Sequence, residues 1–134
     1  MPIIVGYTTK PEGRAALQHA IAEARAHGES LVVVNIGTGA HPENMLAGEE
    51  DLAEVARTLE ATGVEHQVRQ LVRGKEPSQE IVDLAEEIGA TMIVIGLRRR
   101  SPVGKLLLGS NAQQILLDAS CPVVAVKPVV TVKA

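Results

Sequence analysis

Apolar residues fall along this chain in two alternating patterns: short continuous runs, and longer stretches in which they recur every three or four positions. The short runs predict buried strands at 2–7, 31–36, 91–95 and 123–126. The longer stretches predict four amphipathic helices. Their inward-facing residues are Leu17, Ile21 and Ala24; Leu52, Val55, Ala56 and Leu59; Ile81, Leu84, Ala85 and Ile88; and Ala112, Ile115, Leu116 and Ala119.

One further stretch, residues 64–72, mixes apolar and polar side chains and is typical of a strand at the edge of a sheet. With it, a strand followed by a helix occurs four times before a last strand. This alternation predicts an α/β fold, a Rossmann-like open parallel sheet of five strands with right-handed crossovers and helices on both faces. No internal repeat or linker interrupts the order, so residues 1–134 are predicted to form a single domain.

Residues at the ends of the predicted helices carry recognisable signals. Thr9 with Glu12, and Ser110 with Gln113, each have the spacing of a capping box, in which the first residue caps the helix. Pro77 suits the first turn of the third helix. Three helices are predicted to end at a glycine, which takes the left-handed conformation without strain: Gly28, Gly63 and Gly89.

Composition narrows the functional classes. Hydrophobic residues make up 46% of the chain, but Tyr7 is its only aromatic residue, and the net charge is -3. Both features argue against a nucleic-acid surface, which needs basic charge and, for single strands, stacking rings. Cys121 is the only cysteine, and no Cys/His cluster has metal-ligand spacing. Without a signal pattern or a long apolar span, the sequence predicts a cytoplasmic protein with no membrane partner.

The loop between the fourth strand and the fourth helix holds the most suggestive chemistry. It carries Arg98, Arg99, Arg100 and Lys105 and no acidic residue. In open α/β sheets, ligands bind at the carboxyl ends of strands, and the N–H groups at a helix amino terminus favour anions. The loop therefore predicts an anion site, although three adjacent arginines are also compatible with a solvated basic loop.

The same stretch resembles the signature of ATP-binding universal stress proteins, in which Gly, two residues, Gly, nine residues and Gly precede Ser or Thr. Gly96, Gly109 and Ser110 match, and Arg99 stands where the second glycine would be. The resemblance extends to Ile3-Ile4-Val5-Gly6, to residues 74–85 and to residues 120–126. It implies spatial strand order 3-2-1-4-5 and a stress-response function.

The resemblance also implies a nucleotide site at the ends of the first and fourth strands, for ATP with Mg or for another adenine nucleotide such as AMP or cyclic AMP. Thr8 takes the place of a family aspartate that contacts the nucleoside, and Arg99 either obstructs the phosphate path or serves as a phosphate ligand. The implied site residues are Thr8, Ile36, Ile95, Gly96, Arg99, Gly109, Ser110 and Asn111.

Two other functions remain open at this point. In the first, the chain is a protein-interaction module without a nucleotide, dimerising through its last strand and the apolar residues Val129, Val130 and Val132. The family commonly dimerises in this way, so a homodimer is expected in either case. In the second, the chain hydrolyses ATP. No positioned base or metal-ligand pair supports hydrolysis, and no catalytic or metal-binding residue is predicted.

Overall fold

The computed structural model describes residues 1–8, 11–36, 49–71, 76–99, 106–107 and 109–128. Its strands are β1 (Pro2–Gly6), β2 (Ser30–Ile36), β3 (His66–Leu71), β4 (Met92–Gly96), β5 (Arg98–Arg99), β6 (Leu106–Leu107) and β7 (Val123–Val126). Its helices are α1 (Pro11–His27), α2 (Glu49–Thr62), α3 (Pro77–Ile88) and α4 (Ser110–Asp118). The predicted alternation of strands and helices is thus confirmed, with a short additional strand pair, β5 and β6, inside the basic loop.

Five strands form one parallel sheet in the order β3-β2-β1-β4-β7, which confirms the expected order 3-2-1-4-5. The apolar strands β1, β2 and β4 occupy the centre, where both faces of a sheet are covered by helices. The mixed strand β3 lies at one edge, as its pattern predicted, and β7 lies at the other. The edge position of β3 therefore agrees with its polarity, whereas β7 lies at an edge although it is wholly apolar.

The two faces of the sheet bury separate apolar clusters, as the alternation of side chains along each strand requires. On one face, Ile3 and Val5 of β1 pack with residues of α1 and α2. On the other face, Ile4 packs with residues of α3 and with Ile115 of α4. Ile3, Ile4 and Val5 are each 0% exposed, and burying an aliphatic side chain of this size contributes about 1.5–3 kcal/mol. Aliphatic burial thus holds β1 and β4 firmly in the middle of the fold.

Most of the predicted helix ends are observed. Gly28, Gly63 and Gly89 have φ of 63°, 74° and 67°, so each takes the left-handed conformation expected after a helix. Pro77 is the first residue of α3. The predicted Thr9 cap, the connection at 37–48 and the apolar tail from Val129 onward lie outside the described residues. No helix in the described ranges is long and apolar enough to cross a membrane.

One predicted cap is wrong. Gly109, and not Ser110, is the N-cap residue of α4, and Ser110 is the first residue inside the helix. The N–H of Gln113 donates to the carbonyl of Gly109 at 3.0 Å, which starts the helical ladder one residue earlier than the capping box required. Glycine and serine are both accepted at this position, so the local pattern did not distinguish the two starts.

Candidate functional site

The candidate site lies at the carboxyl ends of the two adjacent central strands, β1 and β4. The chain continues from β1 into α1 on one face of the sheet and from β4 towards α4 on the other face. Such a divergence opens a crevice where open α/β sheets bind ligands. We call this region the central edge and define it by residues 6–8, 12–13, 96–97 and 109–111.

The first turn of α1 closes one side of the central edge by packing directly against β4. A Cβ atom on Gly96 would lie 2.2 Å from the carbonyl oxygen of Glu12. No side chain can occupy that space, so Gly96 allows the backbone of α1 to approach the strand. The family resemblance places Gly96 in the implied nucleotide site, and the structure shows that it also has a packing role.

A second glycine, Gly13 of α1, packs equally closely against Thr8. The sequence did not indicate this contact. A Cβ atom on Gly13 would lie 2.3 Å from the carbonyl oxygen of Thr8 and 2.4 Å from its hydroxyl oxygen. The available signal was a glycine in the first turn of a helix, where alanine is favoured by about 1 kcal/mol. Gly13 thus lets α1 cover Thr8.

The hydroxyl of Thr8 is buried in this contact and has no hydrogen-bond partner within the described part of the chain. A buried hydroxyl without a partner costs about 1–3 kcal/mol. The sequence placed Thr8 in the nucleotide site, and the structure puts it at the carboxyl end of β1, beneath the first turn of α1. Its hydroxyl is a neutral group with unused hydrogen-bonding capacity at the central edge.

The segment that precedes Thr8 is held by a buried amide that the sequence analysis did not single out. Asn35 of β2 is 0% exposed, and its Nδ2 donates to the carbonyl of Tyr7 at 2.8 Å. Its Oδ1 accepts a hydrogen bond from Nε2 of Gln70 at 3.2 Å. The signal in the sequence was an amide inside the apolar run 31–36, because a buried polar group requires partners.

Two further groups near the ends of the sheet are titratable. Burial raises the pKa of the Tyr7 phenol above its ordinary value, and the neighbouring Arg14 guanidinium opposes this rise. Burial also raises the pKa of the Cys121 thiol, which favours the unreactive protonated form. Neither group has the lowered pKa of an activated nucleophile. Within the described ranges, no three His, Cys, Asp or Glu residues are grouped to hold a metal ion.

The basic loop contains a short antiparallel pairing that the sequence did not predict. Arg98 of β5 pairs with Leu107 of β6, and Arg99 pairs with Leu106. Among the described residues, only glycines have positive φ. The arginine at the place of the family's second glycine therefore sits in ordinary extended backbone, without the strain that a left-handed conformation would impose.

The loop ends at Gly109, which, unlike Gly96, is not packed closely against another part of the described chain. Gly109 has φ of −68° and ψ of 164°, values that any residue adopts. Among the described residues, no atom lies within 4 Å of the position that a Cβ on Gly109 would take. The N–H groups of Ser110 and Asn111, the first two helical residues, precede the first hydrogen bond of the α4 ladder and lack intrahelical acceptors. An anion approaching these groups would find space beside Gly109 that none of the described residues fills.

The two isoleucines of the predicted site have different positions. Ile95 is 5% exposed and packs in the apolar cluster that faces α3 and α4, with its Cγ2 3.8 Å from a Cβ atom built on Gly6. This is ordinary core packing directly beneath the central edge. Ile36 is the last residue of β2, in register with Leu71 of β3. The structure therefore places both at or beneath the carboxyl edge of the sheet.

A separate cavity of about 400 Å³ opens at the opposite edge of the sheet, near the amino ends of β2 and β3, where α1 and α2 end. No predicted site residue lines it. Its lining residues are Ala24, Arg25, Gly28, Glu29, Ser30, Thr62, Gly63, Val64 and Glu65. Any ligand experiment on this protein must therefore distinguish the two edges.

Comparison with known proteins agrees with this geometry. The profile of the Universal stress protein family matches residues 1–127. A universal stress protein of Mycolicibacterium smegmatis is 42% identical over 127 residues, which cover 94% of this chain and 97% of that protein. The structure of a universal stress protein from Archaeoglobus fulgidus is 39% identical with a TM-score of 0.79, covering 95% of this chain and 98% of that one.

A further structure from the same organism contains a nucleotide. It is the universal stress protein from Archaeoglobus fulgidus in complex with dAMP, 32% identical to this chain with a TM-score of 0.71. The match covers 95% of this chain and 98% of that one. A related protein of nearly the same extent therefore binds an adenine nucleotide on this fold.

Proposed function

The chain belongs to the universal stress protein family, and on that premise we propose that it is a cytoplasmic stress-response protein that binds an adenine nucleotide at the central edge. The observation that carries the proposal is the contrast between Gly96 and Gly109. Packing against Glu12 explains the glycine at 96. At 109, φ is ordinary and no described atom lies near an added Cβ, so the N-cap role is the reason within the protein, and glycine there leaves the N–H groups of the helix end open to a ligand.

The phosphate end of the ligand belongs at the start of α4. The N–H groups of Ser110 and Asn111 point out of the helix end, and the helix dipole adds a partial positive charge there. The first turn of α4 contains no acidic residue that would repel an anion. Arg98, Arg99 and Lys105 supply cationic side chains in the loop before it. Together these groups favour a phosphate over a neutral ligand.

The nucleoside end belongs towards β1 and β2, where Thr8 and Ile36 lie at the carboxyl ends of their strands. Thr8, a half-buried residue whose hydroxyl lies beneath the first turn of α1, stands where the family's ATP-binding members have a carboxylate. The hydroxyl can donate or accept a hydrogen bond but lacks the charge that strengthens a carboxylate contact. The loss of that charge weakens binding by about tenfold. Since dAMP binds a related protein, nucleoside monophosphates are the first candidates, and ATP with Mg is the second.

Calorimetric titration of the nucleotide-stripped protein tests the proposal, with AMP, dAMP, cyclic AMP and Mg-ATP as ligands. Gly109→Val is the informative variant, because its side chain meets no described residue of the free protein but occupies the space that a phosphate would use. We expect its AMP affinity to fall by at least about tenfold, while the loss of the glycine N-cap lowers the free energy of unfolding by only about 1 kcal/mol. No binding of any of these nucleotides at millimolar concentration to the unmodified protein would overturn the proposal.

Changes in the backbone amide chemical shifts of the protein locate the bound nucleotide. We expect AMP to shift the backbone signals of Gly109, Ser110 and Asn111 and to leave those of Gly28 and Gly63 unchanged. Shifts confined to Gly28 and Gly63 would place the ligand in the cavity at the opposite edge and would contradict the proposed site.

A second proposal concerns self-association, and the outer side of β7 favours it, because among the described strands β7 pairs only with β4. The carbonyls of Pro122 and Val126 accept hydrogen bonds from Ile93 of β4 and from Leu97 just after it, at 3.0 and 2.8 Å, so the backbone groups of Ala125 point away from β4. Leu116, which the helical pattern had placed inward, and Leu117 of α4 are 41% and 82% exposed. We propose that two copies pair their β7 strands antiparallel across a two-fold axis, as in an interaction module. We propose this pairing independently of the nucleotide site.

A further inference from the structure

The strand β1 leaves the sheet at Tyr7, and a side chain controls where it leaves. The register of β1 with β2 ends at Gly6 and Val34. The N–H of Tyr7 still donates to the carbonyl of Val34 at 2.8 Å. The carbonyl of Tyr7 then accepts the Nδ2 group of Asn35 at 2.8 Å. The next residue along the chain is Thr8, so this hydrogen bond holds the backbone directly before the central edge.

The amide of Asn35 is held in turn from the next strand. Nε2 of Gln70 on β3 donates to Oδ1 of Asn35 at 3.2 Å. A donor on one side and a carbonyl acceptor on the other fix which end of the Asn35 amide carries nitrogen. Hydrogen bonds therefore run from Gln70 through Asn35 to the Tyr7 backbone, across three neighbouring strands. Asn35 itself is 0% exposed, so it cannot contact solvent.

An apolar side chain would pack at least as well at this position, since residues 31–34 are all apolar and buried. Burying an amide is unfavourable unless its hydrogen bonds are made. The hydrogen bond to Tyr7 is what the amide adds. It fixes the direction in which the chain enters Thr8, whose hydroxyl is buried and without a partner in the described residues.

We propose that Asn35 is a positioning residue for the nucleotide site, which acts by holding the Tyr7 carbonyl and so placing Thr8 at the nucleoside end. This inference rests on the proposed nucleotide binding. Asn35 does not touch the ligand in this scheme, and the phosphate end at α4 does not depend on it. Removal of its donor therefore weakens contacts to the nucleoside and spares contacts to the phosphate.

Asn35→Asp is the sharpest test, because it keeps the shape of the side chain and removes the donor when the carboxyl is ionised. Burial beside the Tyr7 carbonyl favours the protonated carboxyl, so the ionised form is reached at alkaline pH. There we expect the variant to bind AMP about tenfold more weakly and to bind inorganic phosphate, followed by the shifts of Ser110 and Asn111, as the unmodified protein does. At acid pH the protonated carboxyl can again donate to Tyr7. We therefore expect the AMP affinity ratio between the two proteins to return towards one as the pH falls.

Two further variants separate positioning from general stability. Val55→Ala removes methyl groups from the buried cluster on the same face of the sheet and is expected to lower stability without changing AMP affinity. Gln70→Leu changes an exposed position and removes the hydrogen bond that Gln70 donates to Asn35, so we expect the fold to remain intact. We expect an AMP affinity loss of about twofold to threefold and a shifted Thr8 amide signal. Gln70→Leu keeps the test available if Asn35→Asp does not fold.

The outcomes distinguish nucleotide binding itself from the positioning role of Asn35. If the unmodified protein binds no nucleotide, the proposed function fails and this inference fails with it. If it binds AMP and Asn35→Asp binds AMP equally well even at alkaline pH, only the positioning role is overturned. Equal losses for AMP and inorganic phosphate, without recovery at acid pH, would show a general structural role for Asn35 and would also overturn the inference.

Discussion

The carbonyl oxygen of Glu12 lies 2.2 Å from the position that a Cβ atom on Gly96 would occupy. This contact joins the first turn of α1 to the end of β4 and closes one side of the central edge. It also shows that the two glycines of the family signature, Gly96 and Gly109, have different structural roles. Gly96 serves packing within the protein, and Gly109 leaves space beside a helix end.

Substitution at these two glycines is expected to have different consequences. Gly96→Ala forces its Cβ against the Glu12 backbone, so we expect the free energy of unfolding to fall by about 1–3 kcal/mol. Gly109→Ala meets no described atom at an ordinary φ and loses only the preference for glycine at the N-cap, so stability should fall by less than about 1 kcal/mol. Urea unfolding of both variants checks this difference. Equal stability of the two proteins would show that the contact between α1 and β4 relaxes easily.

Gly13→Ala is expected to reverse the usual effect of this substitution in a helix. Alanine ordinarily stabilises a helix over glycine by about 1 kcal/mol. Here the added Cβ would lie 2.3 Å from the carbonyl oxygen of Thr8. We therefore expect net destabilisation by about 1–2 kcal/mol, measured by thermal or urea unfolding. An increase in stability would mean that Thr8 and the first turn of α1 separate at little cost.

Alkaline titration should report the burial of Tyr7 directly, because it is the only tyrosine. Burial raises the pKa of its phenol above the ordinary value of 10.0. The folded protein binds this proton more tightly than the unfolded chain, so the phenol's contribution to stability is fully present below pH 10.0 and is lost as the pH rises towards the folded-state pKa. Ultraviolet absorbance of the phenolate measures the midpoint, and Tyr7→Phe removes the signal. A midpoint at or below the unfolded value would contradict the burial.

Arg99→Gly restores the family's second glycine and tests what the arginine does. Since Arg99 sits in paired, extended backbone, we expect no relief of strain and a loss of phosphate attraction. AMP affinity should fall about fivefold at low salt, and the difference should shrink at high salt. Arg99→Lys keeps the charge and serves as the control in the same calorimetric titration. Tighter binding by Arg99→Gly would show that the arginine obstructs the site.

Ala125→Pro tests the proposed pairing of β7. The backbone N–H of Ala125 points away from the sheet, so its loss leaves the bonds to β4 intact while removing a donor for a second copy. We expect a shift from dimer to monomer in sedimentation analysis, with little change in the fold of the subunit. Ala125→Val retains the N–H and should remain dimeric. A dimeric Ala125→Pro protein would place the interface elsewhere.

The sequence sufficed for those features that local patterns determine. The mixed polarity of residues 66–71 indicated an edge strand, and Gly28, Gly63 and Gly89 marked three helix ends, all as observed. The cap of α4 was misplaced by one residue, because Gly109 and Ser110 are both acceptable caps. These features depend on neighbours along the chain, and the sequence displays them directly.

The remaining features depend on contacts between distant parts of the chain. No pattern indicates that Glu12 approaches Gly96, or that Asn35 reaches the carbonyl of Tyr7. The pairing of Arg98 and Arg99 with Leu107 and Leu106 is only two residues long and has no periodicity to recognise. The sequence could therefore name most of the candidate site, but only the fold could separate its packing residues from those left open to a ligand.

The hydrogen bond from the N–H of Leu97 to the carbonyl of Val126, 2.8 Å long, joins the basic loop to the outer strand β7. Leu97 is the root of the basic loop, and Val126 belongs to the outermost strand of the sheet. A second copy docked on that strand would restrain the same backbone that anchors the loop. Assembly and ligand affinity would then be thermodynamically linked, each changing the other by the same factor. In such a protein, the concentration of the subunit itself would help to set the nucleotide level to which it responds.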